Sequence, residues 1–294
     1  MACSTGPRRL GSSGLEVGPI AYGCWRFADT AQAVAENNLR TALDLGCNLV
    51  DTADIYGFDG AGGFGAAEEL LGRILRAAPE LRDRMVLATK GGIRPGVPYD
   101  WSDAYLRAAI EDSLWRLDVE RIDLYQLHRP DVLTHPEEVA TVLADLLDRD
   151  LVAEVGLSNV TPSQFELVQH FLDRPIATTQ PEFSPWHAAP VLDGTFDQAI
   201  RRGVVPLSWS PLGGGRIGGD DDVTRVLDRL ASEREATRTT IALAWVLTHP
   251  AAPVAILGTQ RAERITEAVG ALDVSLTRSE WYEVLQAGTG ERLP

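Results

Sequence analysis

The sequence predicts an α/β fold of the (β/α)8 TIM-barrel class, a closed ring of eight parallel strands wrapped by helices. Three observations point to it. Short apolar runs ending in turn-prone residues recur eight times, helical patterns fill the gaps, and no linker-like stretch interrupts the series. Strict alternation of strand and helix argues for a parallel sheet covered on both faces. An open doubly wound sheet shares that alternation, but eight units in one unbroken run fit a closed barrel better. The chain has 294 residues, a usual size for one such barrel, so residues 1–294 are read as a single domain.

In chain order, residues 11–18 read as a small hairpin ahead of the first barrel strand. The strand runs are PIAYG (19–23), NLVD (48–51), VLATK (86–90), DLYQLH (123–128), EVGLSN (154–159), ATTQ (177–180), VPLSWS (205–210) and VAILG (254–258). Helical periodicity covers 31–45, 67–77, 106–117, 137–149, 161–172, 223–236, 239–248 and 261–271. Within 106–117, Leu106, Ala109, Ile110, Leu114 and Leu117 share one face. The segment from Thr161 carries the strongest start signal: Thr161 as N-cap, Pro162 at the first helical position and Gln164 completing a capping box. From about residue 274 the chain reads as a short C-terminal tail with a brief pattern at TRSEWYEVL.

Composition narrows the function classes. Hydrophobic residues at 45% and charged residues at 23% argue for a globular chain. The net charge of −15 disfavours nucleic acid and anionic membrane, both of which repel an acidic protein. Cys3, Cys24 and Cys47 have no metal-like spacing and read as reduced thiols, which fits a cytoplasmic home. No apolar run approaches the length of a membrane span, and the N-terminus lacks the apolar core of a signal peptide. The five histidines show no paired spacing, so no metal site is expected.

The stretch GAGGFG (60–65) fits the glycine pattern G-x-G-x-x-G, with Glu80 and Asp83 near the distance expected of a dinucleotide fingerprint. In a Rossmann unit those glycines follow the first strand directly and open its helix. Here DTADIYGFD intervenes after a strand ending near Asp51, on the second strand–helix unit. The pattern is therefore read as a glycine-rich rim loop.

In a barrel, chemistry gathers where the strands end. Those ends carry Asp51 on the second strand, Lys90 on the third and His128 on the fourth, with Tyr56 in the loop after Asp51. Each has a plainer reading: a turn cap, a solvated amine, a core histidine, a packed ring. Their coincidence on three consecutive strands favours a shared site.

These residues lie in segments that resemble the aldo-keto reductase superfamily, in particular its bacterial NADP-dependent oxidoreductases with short loops. The resemblance rests on LVDTADIYG, ATKGG, DLYQLHRPD, GLSN, QPEFSP, SWSPLGGG and ILGTQ followed by AERITEA, in family order from the RLGSSGLEV hairpin to past Glu267. It implies an NAD(P)H-dependent carbonyl reductase acting on an aldehyde or ketone, with Tyr56, Lys90, Asp51 and His128 as the catalytic tetrad. Hydride delivery to a carbonyl carbon builds negative charge on oxygen, which needs a proton donor and a preorganised surrounding. A free phenol has a pKa near ~10, and a neighbouring ammonium is expected to lower it.

The resemblance also implies the cofactor contacts. Gly23 and Asp51 would be among them; Ser158, Asn159 and Gln180 would hydrogen-bond the nicotinamide carboxamide, with Trp209 as the stacking aromatic. Ser210, Leu212, Gly213 and Gly214 would follow the pyrophosphate, with Arg216 adding charge. Gly258, Thr259, Arg264 and Glu267 would meet the adenosine end, reinforced by Arg261. Many NADPH-specific members have a lysine where this chain has Gly258 and an asparagine where it has Ala268. NADPH is the expected cofactor, with NADH as the alternative. Trp25, Tyr56, His128 and Trp209 would form the substrate mouth, with Trp101 and Trp186 as further candidates and 57–65 as a mobile rim. The short tail implies an open pocket, and the protein is expected to be a monomer or weak homo-oligomer. Two rival readings remain: a class I aldolase with Lys90 as Schiff-base lysine, and a nucleotide-sensing subunit that binds NADPH but barely turns over.

Overall fold

The computed structural model describes residues 1–293. Among these residues ten strands form two sheets. β1 (Arg8–Arg9) and β2 (Glu16–Val17) make an antiparallel hairpin in which Arg8 pairs with Val17. The other eight are β3 (Ile20–Gly23), β4 (Leu49–Asp51), β5 (Val86–Gly91), β6 (Ile122–Leu127), β7 (Val152–Ser158), β8 (Thr178–Gln180), β9 (Val205–Ser208) and β10 (Val254–Leu257). They close into a parallel barrel in chain order, with β10 returning to β3 through Ala255–Ile20, Ile256–Ala21 and Leu257–Tyr22.

Closure follows from the residues. Every barrel strand is buried along almost its whole length, which is why the runs read as continuously apolar rather than alternating. Inside the ring, Ala21, Leu49, Val86, Ala88, Leu124, Leu207 and Val254 form an inner cluster that also takes Leu10 and Val17 from the hairpin. The hairpin therefore plugs the end where the strands begin. Glu154 on β7 holds it there, accepting the backbone N–H groups of Ser12 (2.7 Å) and Ser13 (2.5 Å). The strands' carboxyl ends are left as the face on which chemistry can assemble.

The hairpin begins earlier than 11–18, because its arms are the residues flanking a turn at Gly11–Gly14. The helix from Pro162 starts with the expected capping box, Gln164 N–H donating to Thr161 Oγ1 at 3.2 Å. Helices at Ala189–Leu192 and Thr195–Arg202 were not legible. Only Asp193 and Gly194 separate them, and neither helix is long enough to display periodicity. The tail is more than a brief pattern: Arg278–Thr289 is a helix opened by its own capping box, Thr277 with Glu280. Its Trp281 stacks on Trp245 at 4.9 Å and 11°, and each indole N–H donates to the other's backbone carbonyl. Such a pair adds about 0.5–1.5 kcal/mol beyond burial.

Candidate active site

The chain has twenty-six arginines and a single lysine, and that lysine is wholly buried. Lys90 Nζ donates to Asp51 Oδ2 at 2.8 Å and to the Thr52 carbonyl at 2.7 Å. Burying an ammonium is costly unless it is paired and hydrogen-bonded, and both conditions are met because Asp51 ends β4, the neighbour of β5. Asp51 Oδ1 in turn accepts from the side-chain amides of Gln180 (3.0 Å) and Gln126 (3.3 Å). The carboxylate is fixed from three strands at once.

Tyr56 and His128 complete the cluster. The Lys90 ammonium lies 4.8 Å from the centre of the Tyr56 ring, and the His128 imidazole packs edge-on against that ring at 5.6 Å. All four polar groups picked from the strand ends thus converge on one point. The loop that carries Tyr56 is tied down by Asp54, whose N–H donates to the Lys90 carbonyl at 3.0 Å and whose carbonyl accepts from Gly65 at 2.7 Å.

Burial pushes the Tyr56 phenol above its ordinary value, the Lys90 charge pulling it back and Asp51 pushing it further up. The simple expectation of a lowered phenol pKa is therefore reversed: desolvation outweighs the ammonium. For Lys90, burial favours the neutral amine, but attraction to Asp51 and Tyr56 prevails and its pKa is raised. Burial, together with the Lys90 and Arg129 charges, holds His128 well below the usual imidazole range. At neutral pH the site thus contains a protonated phenol, a charged ammonium and a neutral imidazole.

Around this cluster, the next strand ends supply short polar groups. Ser158 Oγ donates to the Gln180 carbonyl at 3.0 Å. Asn159 Nδ2 donates to the His128 carbonyl at 3.1 Å, and its Oδ1 accepts from Trp209 Nε1 at 3.0 Å. Asn159 and Ser210 both hold left-handed backbone, φ 59° and 49°, a conformation that costs energy outside glycine and concentrates at functional positions. Beyond Leu212, the run Gly213–Gly215 is also left-handed. Side chains added at Gly214 or Gly215 would meet nothing within 4 Å, so this is an open backbone shelf beside the cluster.

Several expected contacts have other occupations. Gly23 is closely packed, since a Cβ there would come 2.9 Å from Ile256. Arg216 pairs with Asp221 at 3.1 Å, and Trp186 donates to the same carboxylate at 2.9 Å. Trp101 is buried beneath Gly92. Trp25 is 59% exposed, with the Arg26 guanidinium over its ring at 5.3 Å. Thr259 Oγ1 accepts from the Arg261 N–H, Arg264 is exposed without an ion pair among the described residues, and Glu267 is half-buried. In the loop 60–65, Asp59 Oδ1 already accepts the Ala61 and Gly62 N–H groups at 2.9 and 2.8 Å. Those amides are spoken for, which agrees with reading the glycine pattern as something other than a phosphate cradle.

Sequence reasoning missed Arg26. Its Nη1 donates to the Gly258 carbonyl at 2.9 Å and lies 3.4 Å from where a Gly258 side chain would begin. A cation thus reaches this place from another strand end. Nearby, Gln260 Oε1 accepts from Tyr22 at 3.3 Å while its buried amide nitrogen has no partner among the described residues. The open glycine shelf, the unsatisfied amide and two arginines suit a long, phosphate-bearing group lying across the strand ends. A surface depression of about 400 Å³ lined by Pro162, Glu166, Leu167 and Arg201 lies on the outer helices and contains none of these groups.

Comparison with known proteins follows the same line. The sequence pattern of the aldo/keto reductase family matches residues 19–288. A protein of Novosphingobium aromaticivorans named 6-dehydroglucose reductase is 51% identical, over 98% of this chain and 97% of its own. One of the same name from Agrobacterium fabrum is 34% identical, over 96% and 98%. Among solved structures, a thermostable aldo-keto reductase in complex with the inhibitor epalrestat superposes with a TM-score of 0.83 at 25% identity, over 96% of this chain and 99% of that one.

Proposed function

The chain belongs to the aldo/keto reductase family, and on that premise we propose that it reduces the aldehyde of a sugar-like substrate with NADPH, Tyr56 donating the proton. One observation carries this reading: the only lysine of the chain is buried between Asp51 and the Tyr56 ring, with His128 against the same ring. When bound, the nicotinamide supplies hydride to the carbonyl carbon. Neutral His128 donates a hydrogen bond that orients the carbonyl oxygen. Tyr56 gives that oxygen its proton, and the Lys90 ammonium, held charged by Asp51, stabilises the phenolate left behind. Ser158, Asn159 and Gln180 would hold the carboxamide, Trp209 would pack on the nicotinamide, and Ser210, Leu212, Gly213 and Gly214 would follow the pyrophosphate. Thr259, Arg264 and Glu267 would meet the adenosine end, and Arg26 would supply the charge that Gly258 cannot. The names of the two 6-dehydroglucose reductases support a hexose-derived aldehyde as substrate. An aldolase use of Lys90 is disfavoured because its raised pKa leaves little free amine to attack a carbonyl.

A panel of aldehydes scored by loss of NADPH absorbance, and separately with NADH, tests the reading. Absence of turnover with either cofactor sinks it. The phosphate assignment predicts that Arg264→Ala weakens NADPH binding by about 10-fold or more while leaving NADH within about threefold, since a charge-assisted pair contributes roughly 1.5–3 kcal/mol. Fluorescence titration decides it, and equal losses for both cofactors would defeat it.

The pH profile follows from the site's charges. The phenol and the ammonium have raised pKa values and the imidazole a lowered one, so all three keep their states from about pH 7 to about pH 9. For reduction, kcat/KM is expected to be flat across that range and to fall only as pH rises past the ordinary phenol value near ~10. A bell centred near pH 7 would contradict it.

A further inference from the structure

Among the described residues seven arginines are half-buried, and six of them hold a carboxylate: Arg40, Arg82, Arg107, Arg116, Arg234 and Arg238. The seventh is Arg129. It has neither an ion pair nor a side-chain hydrogen bond among the described residues, and it directly follows His128 at the end of β6. Its guanidinium carbon lies 5.5 Å from the centre of the Trp209 ring. Trp209 donates to Asn159 Oδ1 and Asn159 donates to the His128 backbone carbonyl, so the indole beneath the guanidinium is tied to the strand end that carries His128 and Arg129.

A partly desolvated cation with no acceptor is costly in a folded protein unless something else completes it. Stacking on an indole compensates in part, and it leaves the N–H fork along the guanidinium edge without a protein acceptor among the described residues, open to solvent or a ligand. That fork matches two oxygens side by side. Neighbouring hydroxyls of a sugar present such a pair, and the names of the two 6-dehydroglucose reductases support a sugar as their source.

We propose that Arg129 is a specificity-determining residue that reads hydroxyl or ring oxygens next to the substrate's carbonyl, and so selects polyhydroxylated aldehydes over plain ones. The assignment rests on the reductase reading above and adds the group that recognises the sugar. His128 meets the carbonyl oxygen. Arg129, one residue further along, meets the oxygens on the adjoining carbons, with the exposed face of the aromatic rim beneath the apolar side of the ring.

The test uses a matched pair of substrates, the 6-aldehyde of glucose and cyclohexanecarbaldehyde, which keeps the ring but lacks every hydroxyl. For Arg129→Met, kcat/KM on the sugar aldehyde is expected to fall about 10- to 100-fold further than on the carbocycle, the loss of a charged hydrogen-bonding fork. NADPH titration should move less than twofold. Arg129→Lys, which keeps the charge but not the fork, should recover only part of the selectivity, and a thermal melt near that of the parent shows that both variants fold. Equal losses on the two aldehydes, or a loss of NADPH affinity, overturn the assignment of Arg129 alone. A preference for a carboxylate-bearing aldehyde such as glyoxylate over the sugar overturns it in favour of anion recognition. Failure of the parent protein to reduce either aldehyde instead overturns the reductase reading itself.

Discussion

Tyr56→Phe is expected to lower carbonyl reduction by about 10²- to 10⁴-fold, the usual share of a positioned general acid, with NADPH affinity unchanged within about twofold. The phenylalanine ring keeps the contacts that place this residue: the ammonium of Lys90 over its face and the edge of His128 against it. Only the hydroxyl is lost. Because burial keeps that hydroxyl protonated at neutral pH, its absence removes the proton itself rather than a spectator. Single-turnover oxidation of bound NADPH by an aldehyde separates the chemical step from binding. If the variant turns over at more than a tenth of the parent rate, Tyr56 is not the acid.

The second large effect concerns Lys90. Replacing it by methionine fills most of the space but leaves the Asp51 carboxylate buried, with two amide donors and no counter-charge. Breaking a buried pair from one side typically costs about 3–5 kcal/mol. Urea unfolding of Lys90→Met is expected to show a loss of that size with an unchanged slope. Adding Asp51→Asn removes the stranded charge while keeping an oxygen for the Gln180 and Gln126 amides, so the double variant should regain most of the stability. Its activity should stay lost, because no ammonium remains to stabilise a phenolate. Recovery of stability without recovery of turnover is the signature of a pair retained for chemistry. If the double variant is as active as the parent, Lys90 is only structural.

The barrel was legible because each of its strands is buried on both sides, and such strands must be written as short apolar runs. The catalytic cluster was legible for a related reason. Asp51, Lys90 and His128 each stand at or beside the end of one of those runs, where an ionisable residue contrasts with its apolar neighbours. The helix at Thr195–Arg202 was hidden because eight residues between two glycines are too few to show a period. Arg26 and Arg129 gave no signal. In a chain with twenty-six arginines, one more near a strand end is indistinguishable from a solvated side chain until its neighbours are known. The lone lysine, by contrast, was available as a signal in the letters alone and marks the centre of the site.

The sequence by itself determined the succession of elements, and through it which residues lie at the same end of the barrel, because hydrophobic patterning and chain order dictate strands, crossovers and their direction. Tertiary structure alone decided which charges are paired and which are not. That includes the phenol pushed up by burial against the pull of an ammonium, the Ala61 and Gly62 amides claimed by Asp59, and the guanidinium without a protein acceptor among the described residues. Pairing and desolvation depend on distances of a few ångströms between residues far apart in the chain, and no linear pattern encodes those.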